Sequence, residues 1–228
     1  DRVFISAMDV QRKSLHQIVE QVKKRGKFIV AGGPLFTGSI DDFPAIDTFV
    51  LNEGEITVPL FLADVLSGKS LEKVYSTTEF ADMKQSPKPD LSIINLNDYD
   101  TMSIQLSRGC PFNCEFCNVT ALLGHTPRLK TAAQIIAELD GLYAAGWRRN
   151  VFFVDDNFIG NKRYIKDEVL PALIKWHEGK HGFRYSTEAS INMADDPELL
   201  DLMAKAGFVD VFIGIETPNE ERDRKSVV

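Results

Sequence analysis

At 228 residues the chain is long enough for one large domain or two smaller ones, and 44% hydrophobic with 26% charged residues is ordinary for a globular protein. A formal charge of −7 with no basic patch excludes a nucleic-acid surface. No apolar run reaches transmembrane length and no signal peptide is visible; a peripheral membrane role stays open if the substrate is a lipid.

Residues 1–70 read as strands alternating with helices. Val3-Phe4-Ile5 is a short apolar strand, and Leu15, Ile18, Val19 and Val22 form the stripe of an amphipathic helix that Gly26 ends. Phe28 to Ala31 is a buried-type strand running into Gly32-Gly33-Pro34. Phe49-Val50-Leu51 is another, followed by Asn52-Glu53-Gly54-Glu55 and a helix expected to open near Pro59. Such alternation implies a parallel sheet, with ligands at the carboxyl ends of its strands. Residues 71–100 are polar, contain Pro87 and Pro89, lack periodicity, and read as a linker or surface strap.

A second βα series follows. Ser103 to Leu106 is a strand, Thr131 to Gln134 is a capping box, and Ile135, Ile136, Leu139, Leu142 and Tyr143 form a helical stripe ending at Gly146. Val151 to Val154 is a buried strand ending in Asp155-Asp156-Asn157, and a helix of roughly 162–178 follows with a kink expected at Pro171. Arg184 to Ala189 is a strand carrying Glu188. Asp196 caps a helix closed by Gly207, and Val209 to Ile215 is a strand leading to Glu216. Four βα-type strands with polar carboxyl ends suggest one catalytic face. Both ends of the chain read as cut, since Asp1 is not an initiator Met and runs straight into a strand. Residues 223–228 match the translation of a sequencing adaptor and are expected to be a non-native tail.

All three cysteines of the chain, Cys110, Cys114 and Cys117, fall within eight residues, spaced Cys-x3-Cys-x2-Cys. A disulfide framework would want an even count spread along the chain, so this is a metal motif, and free thiols of this kind fit a reducing cytoplasm. Structural zinc wants a fourth ligand, and the one nearby candidate, His125, lies eight residues beyond Cys117. A cubane iron–sulfur cluster needs one ligand per iron, so three thiolates leave one iron open to a substrate or cofactor.

The cysteine spacing, with Phe116 just before the last ligand, resembles the radical S-adenosylmethionine (SAM) superfamily. The resemblance covers 103–222 and implies the first four strands of a partial six-stranded βα barrel, a [4Fe-4S] cluster on Cys110, Cys114 and Cys117, and SAM on the fourth iron. It implies further SAM contacts from Phe116 and from Asp155, Asp156 and Asn157, where the family's pattern binds the SAM ammonium; Glu188 and Glu216 are candidate SAM contacts because ionisable residues at the carboxyl ends of barrel strands read as functional. Plain alternatives stand beside these: a core aromatic for Phe116, a turn with a helix cap for 155–157, surface placement for the two glutamates.

The N-terminal segment resembles the C-terminal part of a Rossmann-like (flavodoxin-like) cobalamin-binding domain. Ser6, then Gly32, Gly33 and Pro34, then Gly54 and Glu55 carry the likeness and are implied cobalamin contacts, with a plain flavodoxin-like spacer as the alternative. In order, the expected organisation is a partial cobalamin-binding domain (1–70), a linker (71–100), a partial radical SAM barrel (101–222) and the tail. The two halves together resemble the cobalamin-binding radical SAM subgroup that includes hopanoid C-2 methylases. The resemblance implies methyl transfer to an unactivated carbon of a small molecule or lipid, with a flavodoxin or ferredoxin as reductant. It does not name a catalytic residue. The competing readings are a radical SAM cyclase or rearrangement enzyme without cobalamin, a methylthiotransferase (whose N-terminal domain carries further cysteines, absent here), and a non-catalytic metal-binding regulatory module.

Overall fold

A computed structural model describes residues 1–114, 117–180 and 182–214. Contacts divide the chain into two compact units, Asp1–Ala81 and Asp82–Val228. Among the described residues no helix is long and apolar enough to cross a membrane.

In the first unit, β1 (Arg2–Ser6), α1 (Arg12–Lys24), β2 (Phe28–Gly32), α2 (Pro34–Thr37), β3 (Thr48–Val50), α3 (Gly54–Ser67) and β4 (Val74–Tyr75) follow in order. The strands make one sheet in the order β1-β2-β3-β4, all parallel. Alternation along the strands splits the core in two. Ile29, Ala31, Phe49 and Leu51 meet Leu15 and Val19 of α1, while Val30 and Tyr75 meet Phe61 of α3.

Helix α3 opens five residues earlier than Pro59 implied. Glu53 is its N-cap, with the amides of Ile56 and Thr57 donating to the Glu53 carbonyl (3.0 and 3.1 Å), and Pro59 lies inside the helix. The proline removes one helical donor, a loss the apolar packing of Phe61 offsets. The segment 71–100 is not one linker. Its first part supplies β4, too short to show periodicity, and the Tyr75 hydroxyl donates to Asp64 on α3 (2.9 Å). Its second part is a strap of 3-10 turns in which Asp82, Asp90 and Asn95 each accept from the amide two residues on, and Leu91, Ile94 and Leu96 anchor it on the core of the second unit.

The second unit runs β5 (Thr101–Ile104), β6 (Ser107–Arg108), α4 (Val119–Leu123), β7 (Arg128–Leu129), α5 (Ala132–Ala144), β8 (Asn150–Phe153), α6 (Lys162–Tyr164), α7 (Leu170–His177), β9 (Arg184–Glu188), α8 (Pro197–Ala206) and β10 (Phe208–Phe212). Strands β10-β9-β8-β5 form an all-parallel sheet in that spatial order, as in an opened βα barrel. The capping box at Thr131, the Asp196 cap and the left-handed Gly207 are all present. Residues Ile165–Val169 form a π-helical turn between α6 and α7 just ahead of Pro171, widening the helix where the proline ring would meet the preceding carbonyl.

Helices α5, α7 and α8 pack on the sheet face carrying Met102, Ile104, Val151, Phe153, Tyr185 and Phe208. The opposite face, with Ser103, Phe152, Ser186, Glu188 and Phe212, is open or half-covered. Phe153 is fully buried and touches Phe158, Tyr185 and Phe208 with ring centroids 5.4–5.5 Å apart. Truncating it removes the centre of this cluster. Phe153→Ala is expected to destabilise the second unit by about 3–5 kcal/mol, read as a lowered urea midpoint.

Candidate functional site

The cysteine loop leaves the carboxyl end of β5 and closes on itself through a short antiparallel neck, Ser107 opposite Leu129 and Arg108 opposite Arg128. Beyond the neck the Cys110 amide donates to the Gly124 carbonyl (3.2 Å) and the Arg128 guanidinium to the Leu123 carbonyl (3.0 Å). Gly109 has φ +94°, and a Cβ there would lie 2.7 Å from the Thr126 carbonyl oxygen and 2.9 Å from that of Gly124. Only glycine fits this crossing.

None of the three cysteines is in a disulfide; Cys110 is buried, Cys114 and Cys117 half-buried, and the Cys117 amide donates to the Cys114 carbonyl (3.0 Å). Burial pushes the Cys110 thiol up from its ordinary pKa, an amide contact from Phe112 opposes this, and the charges of Cys117, Cys114 and Asp156 add to the rise. The loop by itself disfavours the Cys110 thiolate, which is the electrostatics a cationic iron centre would reverse. Among the described residues no three His, Cys, Asp or Glu side chains converge as a single ion requires. Three thiolates leave a tetrahedral zinc one ligand short, whereas on a cubane each thiolate takes its own iron. The donor set fits an iron–sulfur cluster.

Asp155, Asp156 and Asn157 separate sharply. Asp155 is 1% exposed and faces protein, not the open edge of the sheet. Its carboxylate accepts the Ser107 hydroxyl (2.7 Å), the Ser107 amide and the Leu106 amide (3.3 Å). The SAM contact expected of it is therefore replaced by a contact with the root of the cysteine loop. Asn157 is also buried, donating to the Ser190 hydroxyl (3.1 Å) and accepting from the Ile159 amide (3.3 Å), so it too braces the fold. Asp156 alone is exposed, close enough to Cys110 for its charge to act on that thiol, and partial burial raises its own pKa.

Glu188 is exposed at the carboxyl end of β9, opposite Phe212 of β10. Because β8 lies between β5 and β9, one edge of the sheet gathers the cysteine loop, Asp156 and Glu188. Phe116, Glu216 and the tail 223–228 lie outside the described residues.

A second buried charge was missed in the sequence. Lys130, where the chain leaves the neck, forms a 2.6 Å ion pair with Glu138 of α5, both side chains 7% exposed. The Lys130 amide donates to the Leu106 carbonyl (2.8 Å) and its carbonyl accepts from the Tyr164 hydroxyl (3.3 Å). The signal was available: Glu138 falls between Ile135, Leu139 and Leu142 on the apolar stripe, and a carboxylate there needs a buried cation.

In the first unit a groove of about 430 Å³ opens at the carboxyl ends of β1, β2 and β3. Ser6, Gly32, Gly33 and Gly54 line it, with Phe4, Val30, Val58 and Leu62 as apolar walls. A Cβ on Gly33 (φ +95°) would meet the Ser6 hydroxyl at 2.8 Å, and one on Gly32 the Val50 carbonyl at 2.5 Å, so the glycines are needed for the close approach itself. Pro34 and Glu55 do not line the groove; Pro34 starts α2 and Glu55 lies in the first turn of α3. Asn52, in the left-handed region at φ +64°, is a lining residue beyond those six.

Residues 104–227 match the model of the radical SAM superfamily. The chain is 46% identical over 222 residues to an uncharacterised methyltransferase, sll1242, of Synechocystis, covering 96% of this chain and 41% of that protein. To the hopanoid C-2 methylase of Rhodopseudomonas palustris it is 38% identical over 224 residues, covering 96% and 42%. The chain thus spans less than half the length of these relatives. Among solved structures, the radical SAM methyltransferase TsrM of Kitasatospora setae, with tryptophan and a SAM analogue bound, superposes with a TM-score of 0.79 at 17% identity, over 96% of this chain and 49% of that one. The cobalamin-dependent radical SAM enzyme OxsB, with aqua-cobalamin and SAM bound, gives 0.78 at 19%, over 100% and 37%. These likenesses carry the fold.

Desolvation raises the Asp155 pKa from 3.8 to about 6, against the hydrogen bonds from Ser107 and Leu106 that lower it. The folded chain then holds this proton more tightly than the unfolded chain between pH about 4 and 6, so this group's contribution to stability falls as pH rises through that window. The stability of the wild type relative to Asp155→Asn is expected to decline from pH 4.5 to 7.5, read from paired urea midpoints. A difference that is flat or rises with pH would contradict it.

Proposed function

The chain belongs to the radical SAM superfamily, and from that premise we propose that it carries the cofactor sites of a cobalamin-dependent radical methyltransferase acting on an unactivated carbon of a small molecule or lipid. One observation carries the reading: three cysteines on a neck-closed loop at the carboxyl end of the first strand of an opened parallel sheet, with two carboxylates on the same edge. When bound, a [4Fe-4S] cluster supplies the electron that cleaves SAM to a 5'-deoxyadenosyl radical, and methylcobalamin supplies the methyl group.

Cys110, Cys114 and Cys117 hold three irons in this reading, and Asp156 and Glu188 are the acceptors for the SAM ammonium. Phe152, half-buried on the opposite sheet face, is the apolar side chain nearest the strand ends on that side, while Phe212 is exposed beside Glu188. Ser6, Gly32, Gly33, Asn52 and Gly54, with the apolar wall of α3, take the nucleotide tail of cobalamin. The similarity to a hopanoid methylase and to structures that bind cobalamin supports this choice over a cyclase without cobalamin. Three cysteines outside any disulfide and an external one-electron donor such as flavodoxin or ferredoxin fit a reducing cytoplasm.

Anaerobic reconstitution with iron and sulfide is expected to give a reduced [4Fe-4S] EPR signal that SAM perturbs. Cys114→Ala should lack the signal, and Asp156→Ala should keep it but require about tenfold more SAM for the same change. Zinc uptake without iron would contradict the reading. For the groove, Val58→Asp places a charge on a partly exposed apolar wall. It is expected to weaken hydroxocobalamin binding about tenfold in a visible-absorbance titration while leaving the EPR signal untouched.

A further inference from the structure

We propose that Asp155 and Ser107 form a positioning clamp that sets the distance between the cluster ligand Cys110 and the SAM-facing Asp156. The clamp rests on the cofactor reading above and adds a residue pair that contacts neither cofactor. Its geometry is specific. One buried carboxylate at the end of β8 takes three donors, the Leu106 amide and the amide and hydroxyl of Ser107, all from the two residues where β5 passes into the neck. Cys110 follows Ser107 by three residues, and Asp156 follows Asp155 directly. The same contact thus fixes the root of the cluster loop and the backbone of the acid that faces it.

On the other strand of the neck, the Lys130 amide also reaches Leu106 and its ammonium is locked to Glu138, so the neck is held at both feet by buried ionisable groups. Hydrophobic packing would stabilise this junction as well without burying charge. What the charged groups add is direction: a carboxylate oxygen accepts two Ser107 donors only in one register of the strand end. Asn157 holds the following turn to β9 through Ser190, so the Asp155-Asp156-Asn157 backbone is pinned on both sides of Asp156.

The test compares Ser107→Ala and Asp155→Asn with two controls. Ser107→Thr keeps the hydroxyl. Thr187→Val deletes a buried hydrogen bond of the same sheet, Thr187 hydroxyl to Phe153 carbonyl (3.0 Å), that does not touch the loop. In the metal-free protein, hydrogen exchange at the Leu106, Ser107 and Cys110 amides is expected to speed up about tenfold in Ser107→Ala and Asp155→Asn and in neither control, the scale of one buried hydrogen bond to a charged group. In the reconstituted protein, the SAM concentration that half-saturates the EPR change should rise about tenfold in Ser107→Ala and return to the wild-type value in Ser107→Thr.

Unchanged exchange would overturn the clamp. Faster exchange with unchanged SAM response, or an equal loss in Thr187→Val, would reduce it to ordinary structural support and overturn the positioning role. A wild-type protein that takes up no cluster would overturn the cofactor reading and the positioning role with it, an outcome the exchange data on metal-free protein keep separate from failure of the contact itself.

Discussion

A loop that must present three thiols to a cluster has little regular hydrogen bonding of its own, so its shape has to come from its ends. Here that constraint is met at the neck, where β6 and β7 bring Ser107 and Leu129 opposite each other and Gly109 lets the chain cross under three carbonyls. Everything assigned to the cluster follows from that closure. The thiols are placed because the neck is placed, and the neck is placed because Leu106 and Ser107 are held by Asp155 from the neighbouring strand. The parallel sheet contributes the rest, since it turns every strand end, and therefore every polar strand-end residue, toward one edge.

This arrangement has an energetic cost. Asp155 is buried deeply enough that desolvation outweighs its three donors, and Lys130 with Glu138 takes two charges out of water beside it. The aromatic cluster around Phe153 and the apolar stripes of α5, α7 and α8 supply the stability against which such groups are tolerated. Polar groups concentrated at the root of one loop, in a core otherwise made of Leu, Ile and Phe, fit a site that trades stability for geometry.

Much of this was legible in the sequence, for reasons that can be stated residue by residue. The cysteine spacing is a local pattern, as are the Thr131 capping box, the Asp196-Pro197 start and the glycine helix ends, and each appears where expected. One missed feature depends on a partner distant in sequence, since Val74-Tyr75 becomes a strand only because β3 offers an open edge. The early start of α3 is local: the Glu53 carbonyl accepts the first amides of the helix, and Pro59 does not mark its beginning. Asp155 was expected to face a cofactor because it stands where the family resemblance puts the motif that binds the SAM ammonium. The period-two alternation of Val151, Phe153 and Asp155, all buried, puts it on the core side instead.

The most direct test of the account is whether the cluster held by Cys110, Cys114 and Cys117 has one iron unlike the other three. Mössbauer spectroscopy of protein reconstituted with iron-57 reads this without any turnover. The account predicts a 3:1 pattern in which the minor component alone shifts when SAM is added. Four irons that ignore SAM, or a protein that binds zinc and no iron, would contradict it.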